Sequence, residues 1–534
     1  MRGSSETQRQ PFIYNGITLL SGIDPIRRAE RIIDTLNIKD NTLYFCPSPI
    51  YGYGLEKLLK RLEQEAPKSA VICIETNSDL FEIAQKNIPQ LIIQNKKFHL
   101  TKTYDSAKLV YLVCEKWGAM AFRYIETVNL TGGWQLESGL YNSLCDTLRR
   151  EIVNNWSNAL TLTKLGRLYI RNALRNLSFI NEFQSISNLS FGESPVLVLG
   201  AGPSLDEILE AINNEQFKNR TFKIVCVDTC LRSLLDRNII PDLVVILESQ
   251  HWNIRDFLGC SNKKIHIALD LSALPASAHI LKGDAYLFFT PWTQLRIFER
   301  LKDAQLLPSI FPPLGSVGLT AVELARKLTS GKIICAGLDF SFTQDRYHAR
   351  NTHGHLTRLK KQKRINSILS ASVFEGSFAD ISKSGFFVRT NPVMKNYRNL
   401  FEQEFSTDTR IFDIEGSGLS LGVKTLSMED AICVLNKTEQ RKGEKEEGRG
   451  KKENGKKLDE FFLSERKRLE GLRAILTGET KADKQKLNNL IDECDYLWAH
   501  FPDCSGGRKP NLEDLSFLNR LRMEIDPMLL LLRG

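Results

Sequence analysis

The sequence predicts an α/β protein. We expect a Rossmann-like, mostly parallel sheet in a central domain, a smaller α/β domain before it, and a helical C-terminal region. The prediction rests on a series of apolar runs and on the helical segments between them. The central part contains six short apolar runs, PVLVLG, FKIVCVD, LVVILE, KIHIALD, AYLFFT and GKIICAG, with helical segments such as LTAVELARKL among them. Uninterrupted apolar runs are typical of strands that helices cover on both faces, as in parallel sheets.

The N-terminal region shows the same pattern on a smaller scale. LYFCP reads as a strand, and the glycine turn YGYG, the helical LEKLLKRLEQ and a second strand, AVICIE, follow it. This succession is typical of a parallel sheet. Residues 134–186 contain no proline and space their apolar residues at helical intervals, which predicts helices that bridge to the central domain.

Near the C-terminus, a highly charged segment separates two regions of ordinary composition. Residues 437–457 contain nine Lys or Arg, five Glu and no apolar side chain, so burial cannot offset the entropy lost on ordering them. The predicted regions are an N-terminal α/β domain (1–133), bridging helices (134–189), a central domain (190–435), a flexible charged linker (436–457) and a helical region (458–534). The helical region is expected to serve packing or oligomerisation.

Composition narrows the class of protein. Of the 534 residues, 42% are hydrophobic and 25% are charged, which excludes a fully disordered or fibrous chain. The longest apolar runs are far shorter than the roughly 18–20 residues of a membrane span, and the first residues lack the apolar core of a secretory signal. We therefore expect no membrane insertion.

Cysteine usage and charge indicate the compartment and the kind of ligand. The eleven cysteines are odd in number and include no CxxC pair, and several lie inside apolar runs. This pattern predicts a reducing, cytoplasmic setting without a disulfide framework or a zinc site. The net charge is +9, and +4 of it lies in the charged linker. The remaining mild excess argues against nucleic acid and favours an anionic ligand.

The segment SPVLVLGAGPSLDEILEAI is the most informative part of the chain. An apolar strand leads into Gly200, Ala201, Gly202, Pro203 and Ser204, and a helix follows at once. Glycines allow a tight turn and a close approach of a ligand, and a helix N-terminus attracts anions. The turn lacks the third glycine of the dinucleotide fingerprint. We expect it to bind an anionic ligand, and a purely structural turn is the alternative.

Polar residues follow several of the predicted strands. Parallel strands place such residues in the crevice at their carboxyl ends, where open α/β sheets bind ligands. Any single one of them could instead cap a helix. The residues are Asp228 and Thr229 after IVCV, Glu248 and Gln250 after LVVIL, Asp270 in KIHIALD, and Asp339 after KIICAG.

A second glycine turn and a histidine-rich segment complete the candidate site. Gly315, Ser316 and Gly318 precede a helix and offer further donors to a phosphate. After the next strand come Tyr347, His348, His353 and His355, within a strongly basic segment. Histidine can act as a general base near neutral pH. A solvated basic loop is the alternative, and the spacing HxxxxHxH does not favour a metal site.

These motifs together resemble the motility accessory factor family of flagellin glycosyltransferases, whose central domain is of the 6-hydroxymethylpterin diphosphokinase MptE-like group. The resemblance covers about residues 190–430. It rests on GAGPSLDE, IVCVDT, IIPDLVVILESQ, LGSVGLTAVELARKLTSGKIICAGLDFSF and RYHA. It implies transfer of a nonulosonic, sialic-acid-like sugar from a CMP-activated donor to Ser or Thr of flagellin, in support of motility.

The resemblance also implies roles for individual residues. Gly200–Ser204 would form the nucleotide loop, Gly315–Gly318 the cytidine-side turn, and Tyr347 would steady the leaving phosphate. Asp228 falls where similar sialyltransferases have an asparagine that contacts the donor. Three departures are visible: Ser341 replaces a second tyrosine, Glu248 replaces an aspartate, and the base histidine has no clear counterpart. His348, His353, His355 and Asp339 are therefore the remaining catalytic candidates.

Two other functions remain open. One is an MptE-type pyrophosphokinase, in which Asp228, Asp242 and Glu248 would hold Mg²⁺ near the phosphates of ATP. The other is a non-enzymatic flagellin-binding accessory factor. For the glycosyltransferase we expect no obligatory cofactor, although use of Mg²⁺ is left open, as is homo-oligomerisation.

Overall fold

A computed structural model describes residues 11–118, 120–211, 220–261, 263–343, 346–365, 367–368, 376–436, 451–481, 483–504 and 510–533. The chain forms two compact units, Met1–Lys164 with Phe501–Pro510, and Leu165–His500 with Asn511–Gly534. The division falls inside one helix of 41 residues, Ser138–Ser178, which occupies most of the region predicted as bridging helices.

The first unit contains a small parallel sheet. Its elements are β1 (Phe12–Tyr14), β2 (Ile17–Leu20), α1 (Pro25–Thr35), β3 (Thr42–Pro47), α2 (Leu55–Glu65), β4 (Ala70–Glu75), α3 (Ser78–Asn87), α4 (Gln90–Ile93), β5 (Phe98–Lys102), α5 (Ser106–Trp117), β6 (Tyr124–Thr127) and the start of α6 (Ser138–Ser178). The strand order is β5-β4-β3-β6, and all pairs are parallel. β3 and β4 are completely buried, as their apolar sequences predict.

The carboxyl edge of this sheet is closed by the unit's own residues. The carboxylate of Glu75, at the end of β4, accepts hydrogen bonds from Ser48 Oγ at 2.7 Å and from the Tyr141 hydroxyl at 3.1 Å. The backbone N–H of Gly132 donates to the carbonyl of Leu19 in β2 at 2.8 Å. A Cβ atom on Gly133 would lie 2.2 Å from Ser48 Oγ. The crevice where open α/β sheets bind ligands is therefore packed with protein atoms here.

The second unit contains the larger sheet and the C-terminal helices. Its elements after α6 are β7 (Gln184–Ser185), β8 (Val196–Leu199), α7 (Leu205–Ala211), β9 (Lys223–Val227), α8 (Leu231–Leu235), β10 (Leu243–Ile246), β11 (His266–Asp270), β12 (Ala285–Phe288), α9 (Arg296–Asp303), α10 (Val317–Leu328), β13 (Ile333–Ala336), α11 (His353–Lys361), β14 (Phe378–Ile381), β15 (Phe387–Thr390), α12 (Pro392–Phe405), β16 (Ile411–Ile414), β17 (Lys424–Leu426), α13 (Met428–Asn436), α14 (Lys451–Leu476), α15 (Lys484–Glu493) and α16 (Leu515–Leu531). Short 3-10 helices lie between some of them, including His251–Phe257.

The larger sheet has nine parallel strands in the order β17-β16-β13-β8-β9-β10-β11-β12-β7. The six apolar runs identified in the sequence form β8 to β13, so the predicted fold class is confirmed. The chain runs outward from β8 to β12 on one side and then returns to place β13 on the other side of β8. This reversal creates a topological switch point between β8 and β13, where open α/β sheets bind ligands.

Two parts of the sequence-based picture need correction. The charged linker was predicted to extend to residue 457, but α14 already begins at Lys451; residues 437–450 lie outside the described part of the chain. The antiparallel hairpin formed by β14 and β15 was not predicted, because its sequence alternates too weakly to stand out. The helical character of the C-terminal region is confirmed by α14, α15 and α16.

A buried ion cluster joins α14 to α9 within the second unit. Glu465 of α14 is 1% exposed, and Arg300 of α9 donates to its carboxylate through Nε at 2.6 Å and Nη2 at 2.9 Å. Arg468 adds a third bond at 2.6 Å. Nearby, the carboxylate of Asp495 accepts the backbone N–H of Arg296 at 3.0 Å. Because a buried carboxylate is costly without partners, this cluster fixes α14 on α9.

We predict that Arg300→Ala lowers the free energy of unfolding by about 2–3 kcal/mol, because it leaves the buried Glu465 carboxylate with incomplete compensation. Urea denaturation measures the change. The control is Arg473→Ala, which removes an exposed pair with Asp526 and should cost less than about 1 kcal/mol. Equal effects of the two substitutions would contradict the assigned role of the buried cluster.

Candidate functional site

The two glycine turns predicted from the sequence meet at the switch point of the large sheet. The first, Gly200–Ser204, follows β8 and is called here the Gly202 turn. The second, Gly315–Gly318, precedes and begins α10 and is called the Ser316 turn. The side chain of Leu338, which follows β13, lies between them: its Cδ2 would be 2.6 Å from a Cβ atom on either Gly200 or Gly318. The two turns predicted from the sequence are thus close together in the structure, whereas their role in binding stays a prediction.

The Gly202 turn is packed against the chain that leaves β13. The backbone N–H of Gly202 donates to the carbonyl of Gly337 at 2.8 Å, and that of Gly200 donates to Ala336 at 2.8 Å. A Cβ atom on Gly200 would lie 2.4 Å from the Gly337 carbonyl oxygen. The glycines are needed here because two backbones touch, rather than because a ligand approaches.

The carboxylate of Asp339 occupies the helix end that the sequence assigned to a phosphate. It accepts the backbone N–H of Ser204 at 2.7 Å and also the Ser204 hydroxyl. Burial raises the pKa of Asp339, while the bonds from Ser204 act to lower it. The expectations for Gly200–Ser204 and for Asp339 therefore need correction. The amides of Gly200, Gly202 and Ser204 are bonded within the protein, and the Asp339 carboxylate anchors the turn.

The Ser316 turn is different, because its donors remain available. Ser316 is the N-cap of α10, yet its side chain makes no capping hydrogen bond. Within the described ranges, no protein group accepts a hydrogen bond from the backbone N–H of Ser316, Val317 or Gly318. These donors and the positive end of the α10 dipole are features that would suit an anion, so the expectation for this turn stays a prediction.

Tyr397 lies beside the Ser316 turn and Tyr169 lies near Tyr397, and neither was predicted from the sequence. A Cβ atom on Gly315 would lie 3.3 Å from Cε1 of Tyr397, which belongs to α12. Burial, together with the nearby charges of Glu248 and Asp270 and the Tyr397 hydroxyl, raises the pKa of Tyr169 to about 12. Tyr169 also packs on Trp292, with ring centroids 5.2 Å apart. Isolated aromatic residues on predicted helices gave no sequence signal for this grouping.

The polar residues after β9 form hydrogen bonds with each other and with Asn253. Asp228 is buried, and its carboxylate accepts hydrogen bonds from Asn253 Nδ2 at 2.6 Å and from the backbone N–H of Thr229 at 2.8 Å. The Thr229 hydroxyl donates to the same carboxylate at 3.2 Å. Burial raises the pKa of Asp228 to about 6. The donor contact expected for Asp228 and Thr229 would have to displace these bonds.

Glu248, after β10, accepts fewer hydrogen bonds in the described structure than Asp228 does. Its side chain is exposed, and Oε1 accepts the backbone N–H of Gln250 at 2.9 Å. Asp256, in the 3-10 helix that follows, was not predicted. Burial, reinforced by the charges of Asp228 and Glu248, raises the pKa of Asp256 to about 7. A carboxyl group with such a pKa can exchange protons near neutral pH.

The segment with Tyr347 and the histidines is fastened to the Gly202 turn by Asp206. This buried carboxylate pairs with Arg346 at 2.8 Å and accepts the backbone N–H of Arg350 at 3.0 Å. The backbone N–H of Ala349 donates to the carbonyl of Ala201 at 2.9 Å. Asp206 had no distinct sequence signal, because it resembles any acidic residue in the first turn of a helix.

Tyr347 and the three histidines occupy different environments. The Tyr347 ring stacks on Phe342 at 4.0 Å, and the Arg358 guanidinium lies 3.6 Å from the ring centroid. Burial, with Arg358 and His355 nearby, lowers the pKa of His348 to about 4, so this ring is a weak base. His355 is buried. His353 is partly exposed, and its Nε2 lies 3.1 Å from the Thr357 hydroxyl.

The carboxylates that the structure describes do not form a metal centre. Among the described residues, no group of three or more His, Cys, Asp or Glu side chains is arranged to hold a metal ion. Asp242 precedes β10 and pairs with Arg220 at 2.8 Å, whereas Asp228 and Glu248 follow the carboxyl ends of β9 and β10. The Mg²⁺ set considered in the sequence analysis is therefore wrong, because its members lie at opposite ends of the strands.

A family model matches about a third of the chain. The sequence model of the family described as 6-hydroxymethylpterin diphosphokinase MptE-like matches residues 171–345, which include β8 to β13 and the Ser316 turn. These residues form an MptE-like domain. The resemblance stated for the central domain is confirmed.

Two further comparisons cover nearly the whole chain. An uncharacterised protein of Treponema pallidum (strain Nichols) is 27% identical over 527 residues, which span 94% of this chain and 90% of that relative. The solved structure of the MAf glycosyltransferase from Magnetospirillum magneticum AMB-1 shares the fold, with a TM-score of 0.51 and 14% identity, over 98% of this chain and 84% of that one. The MptE-like domain and its flanking regions thus have the arrangement of elements seen in that structure. Within the described ranges, no helix has the length and apolarity that a membrane crossing requires.

We predict that Asp256→Asn stabilises the protein at pH 8 by about 2 kcal/mol more than at pH 5. The folded pKa of about 7 exceeds the unfolded value near 4, so wild-type stability decreases as pH rises between these values. Asparagine cannot ionise and removes this loss. Urea denaturation at both pH values measures the difference.

The control for this prediction is Asp492→Asn in α15, where the carboxylate is exposed. It should change stability equally at the two pH values. The prediction is wrong if Asp256→Asn gives no greater gain at pH 8 than at pH 5.

Proposed function

We propose that this protein is a glycosyltransferase that moves a nonulosonic sugar from a CMP-activated donor to Ser or Thr of flagellin. The observation that carries the proposal is the Ser316 turn, whose amides and hydroxyl have no protein acceptor in the described structure. It lies at the switch point of a parallel sheet, beside Tyr397. The fold shared with the MAf glycosyltransferase supports the same class of reaction.

In the proposed reaction, the acceptor hydroxyl oxygen attacks the anomeric carbon of the donor. The bond from that carbon to the phosphate oxygen breaks, and CMP leaves as a phosphate monoester. The N–H groups of the Ser316 turn stabilise the phosphate charge that develops as this bond breaks. This stabilisation comes from backbone dipoles that are already oriented, so it requires no metal ion.

The acceptor hydroxyl must also lose its proton. We propose that the Asp256 carboxylate accepts this proton. The side chain is partly exposed, lies beyond the carboxyl end of β10, and has a pKa that burial raises to about 7. His353 is the other partly exposed candidate. His348, with a pKa lowered to about 4, would accept a proton poorly near neutral pH.

A charge placed at the Ser316 turn tests the donor site. Aspartate and asparagine are both good N-cap residues, so Ser316→Asp and Ser316→Asn should both preserve α10. We predict that Ser316→Asp weakens CMP binding at least thirtyfold, because its carboxylate repels the phosphate, whereas Ser316→Asn weakens it less than fivefold. Calorimetry measures the dissociation constants. Equal binding by the two variants would exclude the turn as the phosphate site.

The biological part of the proposal has its own test. Deleting the gene should lower the mass of flagellin by whole nonulosonate units, as mass spectrometry of purified filaments would show. An unchanged flagellin mass, with no CMP binding by the purified protein, would refute the proposed function.

The pH dependence of turnover tests the assigned base. With Asp256 as base, kcat of the wild type should rise with pH with an apparent pKa near 7. Asp256→Asn should remove this rise and lower kcat by about 10²–10⁴-fold, while the protein remains folded. His353→Gln should retain the rise. Loss of the rise in His353→Gln alone would transfer the role to His353.

The description of the matched family favours a second candidate, a Mg²⁺-dependent pyrophosphokinase acting on a hydroxymethyl substrate. That chemistry uses carboxylates to hold Mg²⁺ at the phosphates of ATP. The charges of Asp228 and Glu248 act on Asp256, so these three carboxylates are the ones to test for such a role. Release of AMP from ATP that depends on both Mg²⁺ and a hydroxymethylpterin would establish this activity in place of glycosyl transfer.

A further inference from the structure

The C-terminal end of α11 carries a strong, exposed positive charge that the proposed chemistry does not use. Residues 359–365 are all exposed, and four of them are basic: Lys360, Lys361, Lys363 and Arg364. These four residues are called the basic strip. Within the described ranges, no carboxylate lies within ion-pair distance of any of them. From Arg346 to Ile365 the described chain contains no acidic residue at all.

The location of the basic strip links it to the candidate site. The same helix begins at His353, directly after the segment that Asp206 fastens to the Gly202 turn. Arg358, one turn before the end of the helix, lies on the Tyr347 ring. The strip therefore extends outward from a segment that is itself attached to the switch point of the sheet. A large partner bound there would be held beside the site.

We propose that the basic strip is a docking surface for an acidic polypeptide, namely a surface rich in Asp and Glu on the protein acceptor. The identity of the partner rests on the proposed function, but the charge complementarity does not. Such complementarity increases the rate of encounter and selects partners of opposite charge.

Three observations favour a polypeptide over other anions. Lys360, the first residue of the strip, lies about 10 Å along α11 from His353, slightly more than a Debye length at physiological ionic strength, so a small nucleotide near the helix start would feel little of its charge. The strip contains no aromatic side chain on which nucleic acid bases could stack. In the exposed range 359–365 the apolar side chains are Leu359 and Ile365, too few for the apolar face of a membrane-bound helix.

The test compares two variants with the same change in net charge. The first replaces the strip with glutamate: Lys360→Glu, Lys361→Glu, Lys363→Glu and Arg364→Glu. The control replaces four exposed lysines on and around α14 and α15: Lys467→Glu, Lys481→Glu, Lys484→Glu and Lys486→Glu. A third protein carries glutamine at the four strip positions, which avoids placing negative charge at a helix C-terminus.

Calorimetry measures the binding of monomeric flagellin from the same organism, and separately the binding of CMP, at about 50 mM and 500 mM NaCl. We expect the glutamate variant to bind flagellin at least tenfold more weakly than wild type at low salt, and the glutamine variant to be intermediate. The control should match wild type within twofold, and CMP binding should be unchanged in all variants. The difference between variants should shrink at high salt, because exposed charges are screened.

Two results would overturn the docking proposal. One is equal flagellin binding by the wild type, the strip variants and the control, or no flagellin binding by the wild type. The other is weaker binding of CMP by the strip variants with unchanged binding of flagellin, which would make the strip part of the nucleotide site. If flagellin binds through the strip but CMP does not bind the wild type, the docking proposal stands and the proposed glycosyl transfer fails.

Discussion

The contact between the chain leaving β8 and the chain leaving β13 is the constraint on which the rest of the site depends. The backbones meet at Gly200, Gly202 and Gly337, where a Cβ atom on either of the first two would clash. Asp339 then fastens the start of α7 through the N–H and hydroxyl of Ser204. Both are interior strands of the sheet and adjacent to each other, so this contact fixes the two chain segments that leave the switch point.

The two glycine turns look alike in sequence but differ in their hydrogen bonds. The Gly202 turn supplies its donors to the protein itself, so it holds the edge of the sheet together. The N–H groups of the Ser316 turn have no acceptor in the described structure, and Tyr397 lies beside Gly315. A helix N-terminus is an anion site only while its N–H groups are unpaired. We therefore place the proposed chemistry at the second turn, whereas the N–H groups of the first are bonded within the protein.

The sequence predicted the sheet well because each of its six core strands is an apolar run buried on both faces, which leaves a clear pattern. It also predicted a turn at Gly315–Gly318 before a helix, because glycine and serine are common at helix N-termini. The sequence could not show which turn has its N–H groups bonded within the protein. Asp339, which accepts the N–H of Ser204, is 135 residues away from it in the chain. Tyr169, Asp206, Asp256 and Tyr397 were missed for a related reason: each gains its role from neighbours that only the fold brings together.

A crystal structure of the protein with CMP bound would test the central claim most directly. The account predicts a phosphate within hydrogen-bond distance of the N–H groups of Ser316, Val317 and Gly318, with the bonds from Ser204 to Asp339 intact. A phosphate on the amides of Gly202 and Ser204, with the Asp339 carboxylate displaced, would contradict it.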